Sequence, residues 1–248
     1  MFEVGMKSDQ GRRQINQDAV WVDRGELAGD EYALLAVADG MGGHRAGEVA
    51  SQLAVERFSQ QFQIVLEQES SPLLALEMAV RRANQHVYEQ GEADYRLAGM
   101  GTTLTVALLW RSQLLVAHVG DSRLYLVRGD SCQQVTDDHS LVGELLKSGG
   151  LSEQEAQQHP QRNVLIRALG TSAAVDVDLL TFDLQLGDIV LVCSDGLSTV
   201  LNQSELAAII AESLDLQQAA EQMVLLAYER GGQDNITAAL AGWRWERP

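Results

Sequence analysis

Apolar and polar positions divide the chain into short runs that read as strands and longer stretches that read as helices. Phe2 to Met6, Ala19 to Asp23 and Tyr32 to Ala38 predict strands, the last stopping abruptly at Asp39-Gly40. Ala50, Leu53, Ala54, Phe58 and Phe62 then recur at helical spacing, as do Leu73, Leu76, Val80, Ala83 and Val87. Ser71 is placed to cap that second helix, with Pro72 at its first position, where the missing N–H costs nothing.

Strands resume at Thr102 to Trp110, Leu114 to Val119, Arg123 to Arg128 and Cys132 to Val135, with Gly129-Asp130 as a hairpin turn. Their short spacing predicts antiparallel pairing. Ser140 to Lys147 and Ser152 to Gln158 read as short helices, the second opened by the capping box Ser152-x-x-Glu155, and the glycine-rich stretch around them predicts a surface flap over about 141–169. Val175 to Leu184 and Ile189 to Cys193 predict strands meeting at Gly187-Asp188. Helices follow from Gln203 and from Leu216, the latter ending at Gly231-Gly232, before a last strand from Ile236 to Trp243. Strand runs separated by helix pairs, without βαβ alternation, predict an α+β fold: an antiparallel β-sandwich flanked by helix pairs in α-β-β-α layers, with a helical flap. No repeat or linker asks for a second unit, so residues 1–248 are expected to form one domain.

Charge narrows the partners. A net charge of −17, with Lys7 and Lys147 the only lysines, argues against nucleic acid or an anionic membrane as partner. The same field repels a phosphorylated ligand, so a phosphate site needs its own local positive charge. Cys132 and Cys193 do not form a disulfide framework, and neither has an arginine six positions on, as thiol phosphatase chemistry needs. Met1 to Gln17 has no apolar stretch like a signal peptide, and a cytoplasmic monomer is the expectation.

The chemistry is carried by a recurring arrangement in which an apolar strand runs into an aspartate beside a glycine. It occurs at Ala38-Asp39-Gly40, Val119-Gly120-Asp121 and Cys193-Ser194-Asp195-Gly196, and Asp234 stands just before the final strand. One Asp-Gly reads as a turn. Several at strand mouths read as converging carboxylates, whose mutual repulsion divalent cations would relieve. Oxygen ligands without Cys/His spacing favour Mg²⁺ or Mn²⁺.

Arg13-Gln14-Ile15-Asn16-Gln17-Asp18, Val37-Ala38-Asp39-Gly40-Met41-Gly42-Gly43-His44, Gly101-Thr102-Thr103, Val119-Gly120-Asp121-Ser122-Arg123, Asp138-His139-Ser140, Cys193-Ser194-Asp195-Gly196 and Asp234-Asn235-Ile236-Thr237 follow one another in order. Together they resemble the motifs of the bacterial type 2C, metal-dependent (PPM) Ser/Thr protein phosphatases, over nearly the whole chain. The resemblance implies hydrolysis of phosphoserine and phosphothreonine in proteins by a water or hydroxide bridging two Mg²⁺ or Mn²⁺ ions, without a phosphoenzyme. It implies that Asp39 bridges the ions, Gly40 contributes a carbonyl, Asp195 and Asp234 complete one shell, and Asp18 acts through a bound water. Asp121 joins Asp195 at a third, weaker ion. Arg13 corresponds to the phosphate-binding arginine, and His44 stands where it can contact substrate or protonate the leaving group. Animal relatives carry a histidine directly after the Asp-Gly pair, where this chain has Met41. His139 is expected to brace a loop, and His118 to be structural. A competing class, the aspartyl-nucleophile phosphohydrolases, is similar to this chain only through Asp176-Val177-Asp178.

Overall fold

The computed structural model describes residues 2–43, 46–68, 71–152, 155–156 and 159–243. Strands β1 (Phe2–Asp9), β2 (Asp18–Leu27) and β3 (Asp30–Met41) precede the long helices α1 (Ala46–Gln68) and α2 (Pro72–Ala93). Strands β4 (Gly101–Thr102), β5 (Leu104–Trp110), β6 (Gln113–Val119), β7 (Arg123–Arg128) and β8 (Ser131–Gln134) come next, then helix α3 (Leu141–Lys147). Strands β9 (Asp178–Asp183) and β10 (Ile189–Cys193), helices α4 (Asp195–Ser198), α5 (Gln203–Glu212) and α6 (Leu216–Glu229), and strand β11 (Ile236–Trp243) complete the order.

Two antiparallel sheets result, β1-β11-β10-β7-β8 and β2-β3-β5-β6-β9, with β4 alongside β3. Period-two alternation assigns the two faces of each strand to different layers. In β3, Leu35 and Val37 point into the space between the sheets, where they meet Val116, Leu124, Val190 and Val192. Leu34, Ala36 and Ala38 point the other way, onto Phe58, Leu76 and Val80 of α1 and α2. Leu191, Cys193 and Leu240 of the other sheet pack likewise beneath α5 and α6, against Leu206 and Met223. The layers are therefore helix, sheet, sheet, helix, and both faces of the central strands are dry, which is why their sequences are continuously apolar rather than alternating. Ser71 caps α2 by accepting from the Leu74 N–H, with Pro72 at the first turn. No helix among the described residues is long and apolar enough to cross a membrane.

The structure departs from the sequence pattern at four places. The strand expected over Thr102 to Trp110 is broken at Thr103, whose N–H donates to the Asp39 carbonyl at 2.9 Å and whose Oγ1 accepts from the Asp39 N–H at 2.8 Å. The strand expected to stop at Asp39-Gly40 continues to Met41, because Gly40 and Met41 find a new partner in β4. Neither β6 and β7 nor β9 and β10 form hairpins; each pair is split between the two sheets. Only Asp178–Asp183 of the run from Val175 to Leu184 is strand; the Val175 carbonyl accepts instead from Arg81 Nη1 at 2.8 Å. Of the flap, α3 is present, the Ser152–Glu155 box is made through the Ser152 N–H and hydroxyl, and part of the second expected helix lies outside the described residues. The flap is tied back by bridges pairing Leu165 with Ser140 and Leu169 with Thr102.

Phe58 is fully buried, with Trp21 at 6.3 Å and Phe62 at 5.8 Å between ring centroids. Phe58→Ala is expected to lower the unfolding free energy by about 3–5 kcal/mol in denaturant titration, whereas Leu214→Ala, at a side chain 82% exposed, should change it by less than about 0.5 kcal/mol.

Candidate metal centre

The register of the sheets determines which strand ends meet. Asp9 at the end of β1 pairs with Ile236 at the start of β11, and Cys193 at the end of β10 pairs with both Ala238 and Arg123, the first residue of β7. In the facing sheet Asp18 opens β2 directly opposite Asp39 near the end of β3, and Val119 closes β6 opposite Leu104. Asp18, Asp39, Asp121, Asp195 and Asp234 therefore emerge at the same end of the sandwich. Asp121 lies where the chain crosses from one sheet to the other, and Asp195 is the first residue of α4.

Burial, and then mutual repulsion, raises Asp18, Asp39, Asp121 and Asp195. Burial, and then the charges of Asp18, Asp195, Asp121 and Asp234, hold the Asp39 carboxyl well above the usual range. Burial pushes Asp18 up to about 7, with Asp195 and Asp234 adding to it, against the hydroxyl bonds from Thr237 and Ser194. Asp121 is likewise pushed up to about 7 by burial and then by Asp195 and Asp138, with Arg123 opposing. Asp195 is raised by burial and by Asp234, and a side-chain hydrogen bond with Asp39 offsets part of this. A divalent cation placed among these carboxyls would relieve the repulsion that raises them.

Asp18 is the best-defined member. Its Oδ2 accepts from Ser194 Oγ at 2.7 Å and from Thr237 Oγ1 at 2.6 Å. Since Thr237 donates to the carboxylate, Ser8 must donate to Thr237 across 2.7 Å, and Asn16 Nδ2 donates to Ser8 at 2.9 Å. All this holds one oxygen. The other, Oδ1, is buried without a hydrogen-bond partner, a state that costs a few kcal/mol unless something positive or donating faces it.

Gly40 is held by its N–H to the Gln17 carbonyl at 3.0 Å, and a Cβ there would lie 2.0 Å from the Gly47 carbonyl oxygen. A side chain would force apart the backbone that presents this carbonyl. Among the described residues no three His, Cys, Asp or Glu side chains are already closed into a metal cage. The donor set nevertheless fits hard cations: all oxygen, strongly anionic, with one orphaned carboxylate oxygen. Mg²⁺ and Mn²⁺ keep several waters and need only some of their ligands from protein.

Arg13 stands at the rim. It donates from Nε to the Gln233 carbonyl at 3.1 Å and from Nη2 to Asp234 Oδ2 at 2.7 Å. The loop carrying it is stapled by buried Asn235, whose Nδ2 donates to the carbonyls of Gln10 and Ile15 at 2.9 and 3.0 Å and whose Oδ1 accepts from the Gln17 N–H at 2.8 Å. Gly11, at φ 60°, allows the loops to touch, since a Cβ there would lie 2.0 Å from the Asp234 carbonyl oxygen.

The protein phosphatase 2C family profile matches residues 7–241. The chain belongs to that family. A serine/threonine phosphatase of Listeria innocua is 39% identical over 242 residues, covering 94% of this chain and 93% of its own. The solved S. agalactiae serine/threonine phosphatase superposes with a TM-score of 0.89 at 36% identity, covering 98% of this chain and all of its own. The catalytic domain of the serine/threonine protein phosphatase PstP, solved with two manganese ions, gives a TM-score of 0.84 at 34% identity, covering 97% of each chain.

In this protein phosphatase 2C member the structure gathers Asp18, Asp39, Gly40, Asp121, Asp195, Asp234 and Arg13 at one rim, while His44 lies outside the described residues. His139 Nδ1 accepts from the Gly120 N–H at 3.0 Å, so its Nε2 carries the proton and donates to Asp178 at 3.1 Å. His118 contacts the Asp137 carbonyl and Thr105 Oγ1, satisfying both ring nitrogens. The roles of Ser194, Thr237, Asn235 and the Arg123–Asp138 pair at 2.7 Å beside Asp121 are not legible in the sequence. The available signal was polar residues next to each acid at strand ends, which is common on any surface.

Asp18 titrates near 7 in the fold and near 3.8 unfolded, so the folded chain binds that proton more tightly. Stability from this source is full below about pH 4 and is lost as pH rises through about 7. Thermal unfolding of chelator-treated protein should therefore show a larger Tm loss from about pH 5 to about pH 8 in the parent than in Asp18→Asn, which keeps the hydroxyl bonds without the charge. Mn²⁺ should recover the parent at the higher pH; equal losses in both proteins would contradict the assignment. Asn235→Ala strands one N–H and two carbonyls and is expected to cost about 2–4 kcal/mol in denaturant unfolding.

Proposed function

We propose that this rim hydrolyses phosphoserine and phosphothreonine esters in proteins by direct attack of water activated between two divalent cations, with no phosphoenzyme. Family membership and the named relatives support protein-serine/threonine phosphatase activity. The observation that carries the mechanistic reading is the set of mutually raised carboxyls, with an unpartnered Asp18 oxygen, beside the Arg13 guanidinium.

Asp39, the Gly40 carbonyl, Asp195 and Asp234 would hold the two ions, with Asp18 as an outer partner and Asp121 with Asp195 as a third, weaker position. When bound, such ions supply Lewis acidity that brings the pKa of water towards neutrality and offsets charge on the phosphoryl oxygens. The remaining work falls to the chain. Thr102 and Thr103 clamp the Asp39 carbonyl through a hydroxyl and an N–H, each at 2.9 Å, so the carboxylate is presented from a fixed backbone. Arg13 would exchange its bond to Asp234 for two phosphate oxygens, in a fork that lysine cannot reproduce. In a protein of charge −17 this is the local positive charge that a phosphate requires.

Covalent routes find little support. Burial pushes the Cys193 thiol up to about 12 and the Cys132 thiol up to about 11, leaving no thiolate near neutrality. Asp178 is occupied by Arg167 and His139: burial acts to raise its carboxyl, but their bonds bring it below its ordinary value.

Hydrolysis of p-nitrophenyl phosphate is expected to require added Mn²⁺ or Mg²⁺ and to stop with chelator. In ¹⁸O-water, the released phosphate should carry one solvent oxygen, and quenched enzyme should carry no phosphate. Asp39→Ala should reduce kcat/KM by roughly 10²–10³-fold or more, and Arg13→Lys should mainly raise KM. Turnover that survives thorough chelation, or a trapped phosphoenzyme, would contradict the mechanism.

A further inference from the structure

The turn that presents Arg13 also presents Arg12, and the two side chains are held differently. Arg12 donates from Nε to the Gly231 carbonyl at 2.6 Å, its backbone N–H donates to the Gly232 carbonyl at 2.7 Å, and its guanidinium lies 5.6 Å from the centroid of the Tyr228 ring. Among the described residues no carboxylate pairs with Arg12, whereas Arg13, Arg123, Arg167 and Arg230 each meet one. In a chain of net charge −17, this exposed guanidinium, one residue from Arg13, is tied only to a carbonyl and an aromatic face.

Its geometry suits a ligand. With Nε committed to Gly231, the two terminal amino groups remain as a fork for an oxyanion. The carbonyl bond and the ring contact hold the side chain in place beforehand, which reduces the ordering cost of binding. The carbonyls that seat Arg12 and Arg13 belong to Gly231 and Gln233, two residues apart and so at most about 7 Å from each other. That separation matches one to two residues of an extended peptide.

We propose that Arg12 forms a second anion subsite, recognising a carboxylate or a second phosphate one or two residues from the phosphorylated residue of the substrate. This rests on the phosphatase reading above and names the substrates it favours: acidic or multiply phosphorylated segments, which the protein's overall field would otherwise repel.

The test compares phosphothreonine peptides of one length whose flanking positions are all neutral, carry one Asp, carry a second phosphothreonine, or carry one Lys. Each is assayed with Mn²⁺ against the parent, Arg12→Met and Arg12→Glu. The parent should prefer the Asp and doubly phosphorylated peptides over the neutral one. Arg12→Met, which keeps an apolar chain over Tyr228, should reduce that kcat/KM ratio by about tenfold. Arg12→Glu should invert the order in favour of the Lys peptide, a gain that a misfolded variant could not produce. A parent preference confined to the doubly phosphorylated peptide assigns the subsite to phosphate; one shared by the Asp peptide assigns it to anions generally. If the parent hydrolyses every peptide but the ratios are the same in all three proteins, the subsite is overturned. If the parent hydrolyses none, the phosphatase reading has failed instead.

Discussion

The structure depends on confining like charges. Five aspartates leave the sheets at one end of the sandwich, and Asp39 feels the other four while buried among them. In the bare chain burial and repulsion favour the protonated forms: Asp39 and Asp195 are raised, and Asp18 and Asp121 are pushed up to about 7. A fold selected for stability alone would not assemble such a cluster, because each raised carboxyl weakens the folded state above its unfolded pKa. Cations would reverse the sign of that cost, so the cluster that destabilises the bare chain is the one whose chemistry suits ions.

The scaffold keeps Asp18 and Asp39 in place through backbone and hydroxyl contacts rather than ion pairs, while Asp234 meets Arg13. Thr102 and Thr103 hold the Asp39 backbone, Ser194 and Thr237 hold one Asp18 oxygen, and Asn235 laces the Arg13 loop to the strand behind it. None of these contacts neutralises an acid. They position carboxylates while leaving their charge for a ligand, in contrast to Arg123 and Asp138, which neutralise each other a short step away. The four-layer packing makes the arrangement rigid, since Leu34, Ala36 and Ala38 lock β3 to the helices and Leu35 and Val37 lock it to the opposite sheet.

At the rim, positive charge comes from one turn. Arg12 and Arg13 emerge from one turn and rest on one loop, a short cationic edge on the rim of an acidic pocket. A phosphoprotein approaching a molecule of charge −17 would find attraction along that edge. On the proposed reading, selectivity and catalysis would be served by adjacent residues rather than by separate regions.

Local chemistry was readable from the chain itself. Apolar runs and helical spacing identified the central strands and the long helices, Ser71-Pro72 identified the start of α2, and the ordered Asp-Gly motifs identified the acids and the family they resemble. These signals reside in consecutive residues, because periodicity and turn chemistry are short-range properties. What only the tertiary structure decided was which strands share a sheet. The short spacing of β6 and β7 suggested antiparallel pairing, but the chain crosses between layers there, and that crossing places Asp121 beside acids distant in sequence. The unpartnered Asp18 oxygen, the hydroxyls of Ser194 and Thr237, and the seat of Arg12 on Tyr228 likewise depend on residues about 175 to 220 positions apart. No local pattern encodes such a contact, since it exists only once the antiparallel register has brought both ends of the chain to the same rim.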